Sequence, residues 1–232
     1  MTSYYPVFLD LSGRPCTVVG GGGTALAFTE EKVRGLSQAG ARVTVVAPEV
    51  TPEVAERAAR KEVCWKARGY RLGDLAGAML AIVTCADPAV RETAWLEANR
   101  RNIPLNTVDD VPRCSFIAPS ILRRGDLTVA VSTAGRAPAL AVRIREKLER
   151  ELGEENARFL EMAGRVRAPL ARLHPEFAVR KELWYRLVDS DVLERLRRGD
   201  ETGARARFTE ILGVAPAEPG EPASPVAREN AQ

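Results

Sequence analysis

The sequence predicts an α/β protein, a parallel sheet covered on both faces by helices and followed by a helical C-terminal region. Three observations predict it. A β-branched run, Cys16-Thr-Val-Val19, ends in four consecutive glycines, Gly20 to Gly23, ahead of a helix-forming segment. Apolar strand-length runs then alternate with Ala/Glu/Arg-rich segments as far as Asn106, which is the alternation a parallel sheet needs for its crossovers. From Glu154 to Leu212 the strand-length runs stop and apolar residues recur at helical spacing.

Cys16 to Val19 forms the first strand, the glycines a turn, and the segment reaching Gly40 the first helix. Arg42-Val-Thr-Val-Val46 is the second strand, ending before Pro48, and Thr51 to Lys61 is its helix. Val63-Cys-Trp65 and Ala78-Met-Leu-Ala-Ile-Val83 are the third and fourth strands. Pro88 to Arg101 is a helix leading to a fifth strand at Pro104-Leu-Asn106. After Asp110 the pattern changes. Phe116-Ile-Ala118 and Leu127-Thr-Val-Ala-Val131, separated by Arg123-Arg-Gly-Asp126, predict a strand pair with a polar turn. Pro138 opens a helix where its missing N–H does no harm, and Leu140, Ile144 and Leu148 form a stripe facing a core or a partner subunit. Phe177, Trp184 and Tyr185, at helical spacing, are expected in the core. Beyond Gly213 the Pro-rich segment Ala215 to Pro225 has too little apolar surface to offset ordering entropy, so a disordered tail is expected.

A chain of 232 residues, 45% hydrophobic, can bury the core of one large domain or of a domain with an appendage. Its net charge of +3, from 34 basic and 31 acidic residues, gives no electrostatic reason to expect nucleic acid or an anionic membrane. No run of about 18 apolar residues is present. The start Met1-Thr-Ser-Tyr-Tyr-Pro lacks a signal peptide's basic and apolar regions, so the expected location is cytoplasmic. Cys16, Cys64, Cys85 and Cys114 are far apart, without a C-x-x-C pair, and His174 is the single histidine, so no metal site is expected. The cysteines are read as small apolar spacers. His174, in a basic stretch remote from every motif, is not expected to be catalytic.

Glycines after a first strand let the backbone approach a pyrophosphate, whose charge the free N–H groups of the next helix stabilise. Gly20, Gly21, Gly22 and Gly23 are placed for that role. The second strand ends in Ala47-Pro48-Glu49, so the ribose contact is expected at Glu49 or at backbone around Pro48. No arginine lies in Ala47 to Thr51 to receive a 2′-phosphate, which favours NAD over NADP.

Ligands of open α/β sheets sit beyond the carboxyl ends of the strands, and Asp109 and Asp110 follow the fifth strand directly. Asp109 is the candidate proton acceptor for a reaction that sends hydride to nicotinamide, and Asp110 is expected to cap a turn before Pro112. Arg113, Arg123, Arg124, Arg136 and Arg143 follow, suited either to carboxylate recognition or to a solvated face. Ser132 and Thr133 would form an anion-accepting turn or a local helix cap.

Six ordered motifs resemble precorrin-2 dehydrogenase, a module of siroheme synthases. They are Tyr5-Pro-Val-Phe-Leu-Asp-Leu11, Val18-Val-Gly-Gly-Gly22, Ala39-Gly-Ala-Arg-Val-Thr-Val-Val-Ala-Pro48, Asn106-Thr-Val-Asp-Asp110, Phe116-Ile-Ala-Pro-Ser120 and Val131-Ser-Thr-Ala-Gly135 with Pro138. The likeness covers residues 4 to about 150 and continues more loosely to about 213. It implies oxidation of precorrin-2 to sirohydrochlorin with NAD on the route to siroheme, and in some relatives insertion of ferrous iron at the same site. Cobalt is the other candidate metal substrate. It also implies a homodimer built from a Rossmann domain (1–112), a dimerisation segment (113–152) and a helical C-terminal domain (153–213), here with a tail (214–232). The family's catalytic aspartate falls on Asp109, and its cofactor contacts fall on the glycine turn with Gly23 and Thr24, on Pro48 and Glu49, and on Thr84. Asn106, Arg113, Ser132, Thr133 and Arg136 are the candidates for holding a polycarboxylate substrate.

The chain departs from the family at two points. Gly23-Thr-Ala-Leu-Ala-Phe-Thr-Glu-Glu-Lys32 places the lysine of the family's x-Val-Ala-x-Arg-Lys run four residues late, an insertion of one helical turn that would let Ala27 and Phe28 replace Gly23 and Thr24. The common Ala-Thr-Asp-Asp is Val83-Thr-Cys-Ala-Asp87, so only Thr84 and Asp87 carry over. The methyltransferase domain of some relatives is absent from the sequence, so precorrin-2 is expected to be supplied from elsewhere. A rival reading is a carrier of tetrapyrrole or dinucleotide that does not turn over. A generic oxidoreductase would need a tyrosine-lysine or histidine relay, and none accompanies the motifs.

Overall fold

The computed structural model describes residues 4–217. It divides into two compact units, one formed by the chain up to Ala118 with Ala134–Arg136, the other by Pro119–Thr133 and the chain from Ala137 onward. The first boundary falls after Ala118, beyond the expected 112, because the chain turns back on the last strand of the sheet. Ser115 donates its N–H to the Leu105 carbonyl, and Asn106 Nδ2 donates to the Phe116 carbonyl.

The first unit holds β1 (Pro15–Val19), β2 (Arg42–Ala47), β3 (Cys64–Ala67), β4 (Leu80–Val83) and β5 (Leu105–Thr107). They form an all-parallel sheet in the order β3-β2-β1-β4-β5. Adjacent residues point to opposite faces. Val18, Val45 and Ile82 therefore enter one core with Val33 and Leu36, while Val19, Ala81 and Val83 enter the other with Leu75, Ala94 and Ala98. Both faces are covered, which is why β4 reads as an uninterrupted apolar run.

Helices α1 (Ala25–Gln38), α2 (Pro52–Ala59) and α3 (Pro88–Arg101) supply the cover. Their ends follow local chemistry. Thr51 accepts the Val54 N–H ahead of Pro52, Asp87 accepts the Ala89 N–H ahead of Pro88, and Asn102 closes α3 in the left-handed region at φ 53°. The sheet order reverses between β1 and β4, which opens a crevice at their carboxyl ends.

The second unit contains an antiparallel pair, β6 (Ser120–Arg124) and β7 (Leu127–Val131), joined through Gly125 and Asp126. It continues with α4 (Pro138–Glu151), α5 (Glu154–Leu173), α6 (Phe177–Val188), α7 (Val192–Arg197) and α8 (Glu201–Leu212). Phe159, Met162, Val166 and Leu170 of α5 pack with Leu187, Leu196, Phe208 and Leu212, and the Phe159 and Phe208 rings lie 5.4 Å apart.

Several expectations are corrected. Phe116–Ala118 is not a strand, since Asn106 holds the Phe116 carbonyl and Pro119 offers no ladder N–H; the strand starts at Ser120. Phe177 and Tyr185 are 71% and 60% exposed, because the inward face of α6 is already filled by Leu183, Trp184 and Leu187. Cys64 opens the edge strand β3 and is exposed, whereas Cys16 is buried, which pushes its thiol pKa up. Leu140 and Ile144 of α4 are exposed, so of the two alternatives for that stripe the core is excluded and the partner subunit stays open. Of the expected tail, Val214 packs against the helical core, and Arg205 and Arg165 donate to the carbonyls of Pro216 and Ala217. The remainder of that tail, 218–232, lies outside the described residues.

Phe208 is fully buried at the centre of the helical core. Phe208→Ala is expected to cost about 3–5 kcal/mol, read from the urea midpoint of unfolding.

Candidate cofactor and substrate site

Four predicted segments come together at the carboxyl edge of the sheet: Gly20–Thr24 after β1, Pro48 and Glu49 after β2, Thr84 after β4, and Asp109 after β5. The glycines do different jobs. A Cβ on Gly20 would lie 2.9 Å from Thr29 Oγ1 and 3.0 Å from the Ala47 Cβ, so this glycine lets α1 pack tightly on the sheet. Gly21 faces the Cys85 thiol, and Gly22 faces Glu49, whose Oε2 would lie 3.3 Å from an added Cβ. Gly23 sits at φ 65°, a left-handed position that favours glycine. Thr24 starts α1 without a side-chain cap, and the first turn carries no acidic residue, leaving its N–H groups and positive dipole end for an anion.

Helix α1 begins at Ala25, and the buried positions Ala25, Thr29, Val33 and Leu36 keep one face inward. Ala27 and Phe28 are exposed residues of the first turn, so Gly23 and Thr24 keep their place between β1 and the helix.

Thr84 is placed differently from the expectation. It is buried, and its hydroxyl lies 2.7 Å from Thr29 Oγ1 and 3.3 Å from the Val19 carbonyl. The Thr84 hydroxyl shares a hydrogen bond with Thr29 and so fastens α1 rather than facing the crevice. Asp87 is engaged as the α3 cap. Pro48 and Glu49 are exposed at the tip of β2, which the Trp65 indole N–H fixes by donating to the Ala47 carbonyl at 2.9 Å.

The two aspartates separate in role. Asp109 lies at φ 58°, is exposed, and has no hydrogen-bond or ion-pair partner among the described residues. Asp110 does not cap the turn at Val111–Arg113 as expected; its carboxylate pairs with Arg113 at 2.9 Å. Arg113 also reaches Glu92 at 2.8 Å, and these hydrogen bonds, Glu92 first, raise its already high pKa. Arg113 is thus committed to two carboxylates. Asn106 is buried, and its amide fastens the returning chain instead of facing a substrate. Cys114 lies 3.2 Å from both the N–H and the carbonyl of Thr107, and burial pushes its thiol pKa up.

Ala134–Arg136 belongs to this unit, and a Cβ on Gly135 would lie 3.7 Å from Val111 Cγ2, beside the aspartate turn. Arg136 is exposed and without an ion pair among the described residues. Ser132 and Thr133 belong to the second unit, where Thr133 Oγ1 accepts the Ala137 N–H at the start of α4, the capping alternative. There Arg124 binds the Glu149 carbonyl, Arg143 pairs with Glu146, and His174 closes α5 by donating its N–H to the Leu170 carbonyl while its own carbonyl accepts from Arg180. Among the described residues no three His, Cys, Asp or Glu side chains are grouped to hold a metal ion, and no helix is long and apolar enough to cross a membrane.

Sequence reasoning missed Glu92 and Thr29. Thr29 recurs four residues after buried Ala25 on one helix face, a signal that was present. Glu92 stands 21 residues from Arg113 and carried none.

The sheet order, the glycine turn at its reversal and the acidic tip of β2 define a dinucleotide-binding α/β protein. Residues 7–120 match the NAD(P)-binding family NAD_binding_7, 124–151 the sirohaem biosynthesis protein central region, and 155–212 the sirohaem synthase dimerisation region. The siroheme synthase of Photobacterium profundum is 39% identical over 208 residues, 90% of this chain and 44% of that protein. That of Azotobacter vinelandii is 37% identical over 219 residues, 94% and 46% respectively. The chain therefore spans about half the length of the curated relatives it matches. The solved structure of SirC, precorrin-2 dehydrogenase, superposes with a TM-score of 0.72 at 27% identity, covering 91% of this chain and 100% of that one. The chain belongs to the siroheme synthase and precorrin-2 dehydrogenase family.

Gly20→Ala is expected to cost about 1–3 kcal/mol by overpacking Thr29. It should also weaken NAD binding, with urea unfolding and titration calorimetry as the two measurements.

Proposed function

We propose that this chain oxidises precorrin-2 to sirohydrochlorin with NAD, Asp109 serving as the proton acceptor. The observation that carries the reading is the shared sheet edge: the glycine turn lies at the carboxyl end of β1, and Asp109, unpaired among the described residues, follows β5. The relatives described as siroheme synthases and as precorrin-2 dehydrogenase support the substrate.

The residues present fit a dinucleotide. Gly22 and Gly23 leave the backbone open for a pyrophosphate, with the amino end of α1 behind them. Glu49 stands beside Gly22, suited to accept hydrogen bonds from a ribose diol and to repel a 2′-phosphate. When bound, NAD supplies the hydride acceptor. Asp109, exposed on its turn, accepts the proton that leaves the macrocycle, while Asp110 stays tied to Arg113. Arg136 is the arginine we assign to a substrate carboxylate, since Arg113 is already committed.

We also assign a homodimer. Leu140 and Ile144 on α4 are exposed. A second copy of the chain would cover such surfaces, and the match to a dimerisation region supports that partner. Insertion of ferrous iron or cobalt into the product would call on the same carboxylate as base for the pyrrole N–H groups.

Asp109→Ala is expected to lower the rate of sirohydrochlorin formation by about 10²–10⁴-fold, measured by anaerobic absorbance with enzymatically generated precorrin-2 and NAD. Ferrous iron or cobalt added to the same cuvette tests metal insertion against the no-enzyme rate. Tetrapyrrole binding by the wild-type chain without sirohydrochlorin formation would favour the carrier reading. Glu49→Arg is expected to weaken NAD binding and strengthen NADP binding, read from their Kd values.

A further inference from the structure

The aspartate turn is held by a brace, and its far end lies on α3. Asp109 occupies the left-handed region at φ 58°, a conformation that aspartate adopts more readily than most residues but that its surroundings must still favour. The turn is closed by the Asp110 N–H donating to the Thr107 carbonyl, and the chain after it coils back through Arg113 N–H to the Asp110 carbonyl and Cys114 N–H to the Val111 carbonyl. The base of the turn is tied to the sheet by the Val108 N–H donating to the Val83 carbonyl, and Cys114 Sγ bonds Thr107 and the Asp110 carbonyl. Arg113 adds the link from the turn to α3. Its Nη1 donates to Asp110 Oδ2 at 2.9 Å, and its Nε and Nη2 both reach Glu92 Oε2 at 2.8 Å. All three guanidinium nitrogens are engaged. Glu92 stands on α3, which is anchored by buried Ala94 and Ala98, by its Asp87 cap, and by Arg91 Nε donating to the Cys85 carbonyl at 2.7 Å.

We propose that Glu92, Arg113 and Asp110 are positioning residues that hold Asp109 in its left-handed turn, so that Arg113 serves the reaction through Asp109 rather than by binding substrate. The inference rests on Asp109 being the proton acceptor. Planar arginine suits this bridge because one rigid fork spans two carboxylates on different elements. Glu92 and Arg113 are partly exposed, at 45% and 38%, so the brace contributes geometry to the site more than stability to the fold.

The test compares Glu92→Ala, Arg113→Ala and the double variant with wild type in the precorrin-2 and NAD assay, beside amide hydrogen exchange across residues 107–111. Each single variant should lower kcat by about 10- to 100-fold, with the KM for precorrin-2 changed by less than about twofold. The double variant should fall no further than the worse single one, because both remove one brace. Exchange across the turn should quicken in both singles, and Arg113→Lys, which keeps charge but not the fork, should recover only part of the loss. A raised KM for precorrin-2 in Arg113→Ala, with Glu92→Ala behaving as wild type, would overturn the proposal and make Arg113 a substrate ligand. Unchanged kcat in both singles would overturn it too. Absence of turnover in the wild type would count against the dehydrogenase reading instead. In that case the exchange experiment still decides, and unaltered exchange in Glu92→Ala sinks the brace.

Discussion

Thr29 lies so close to Gly20 that no side chain fits between them, and the placement of the candidate site depends on that approach. It draws α1 onto the ends of β1 and β4, where the Thr84 hydroxyl bonds Thr29 and the Thr84 N–H bonds the Val19 carbonyl. A parallel sheet leaves a crevice wherever its strand order reverses, yet the crevice is useful only if the helix beginning there is held at a fixed depth. Two buried hydroxyls and a missing Cβ set that depth. Hydroxyls sealed from water must find partners, so the pair favours one arrangement of helix and strands over nearby ones.

At the other end of the same edge, a single sequence step separates two carboxylates with opposite fates. Asp110 is mostly buried and tied to Arg113, while Asp109 is turned outward by its positive φ and is exposed. Reversing one dihedral thus directs one acid into structure and its neighbour to solvent. One oxygen of Asp110 is occupied by the Arg113 guanidinium. The exposed carboxylate keeps its lone pairs for other work.

Much of this was legible in the sequence. The α3 helix runs Pro88–Arg101 as its proline start and basic end require, and the four segments assigned to the carboxyl edge of the sheet are there. What could not be read was partnership over distance. The resemblance assigns Thr84 to the cofactor and Asn106 stands in a family motif at the strand end, but each side chain turns to an intramolecular partner, Thr29 and the Phe116 carbonyl. Arg113 looked free because Glu92 lies on a preceding helix with no periodic relation to it. Phe177 and Tyr185 show the converse limit. Helical spacing says that residues share a face, and only packing decides whether that face turns inward.

The four residues inserted ahead of Lys32 illustrate how a departure from a family pattern can be absorbed. Four residues advance an α-helix by about 400°, so the positions beyond the insertion rotate by only about 40°. Val33 and Leu36 therefore still face the core behind Ala25 and Thr29. An insertion of two would have turned them by about 200° and driven charged residues inward. The added length of about 6 Å lies along the helix axis. Thr29, one turn into the helix, is the residue that meets Gly20. The glycine turn keeps its connection to β1, and the insertion by itself gives no reason for the dinucleotide site to be lost.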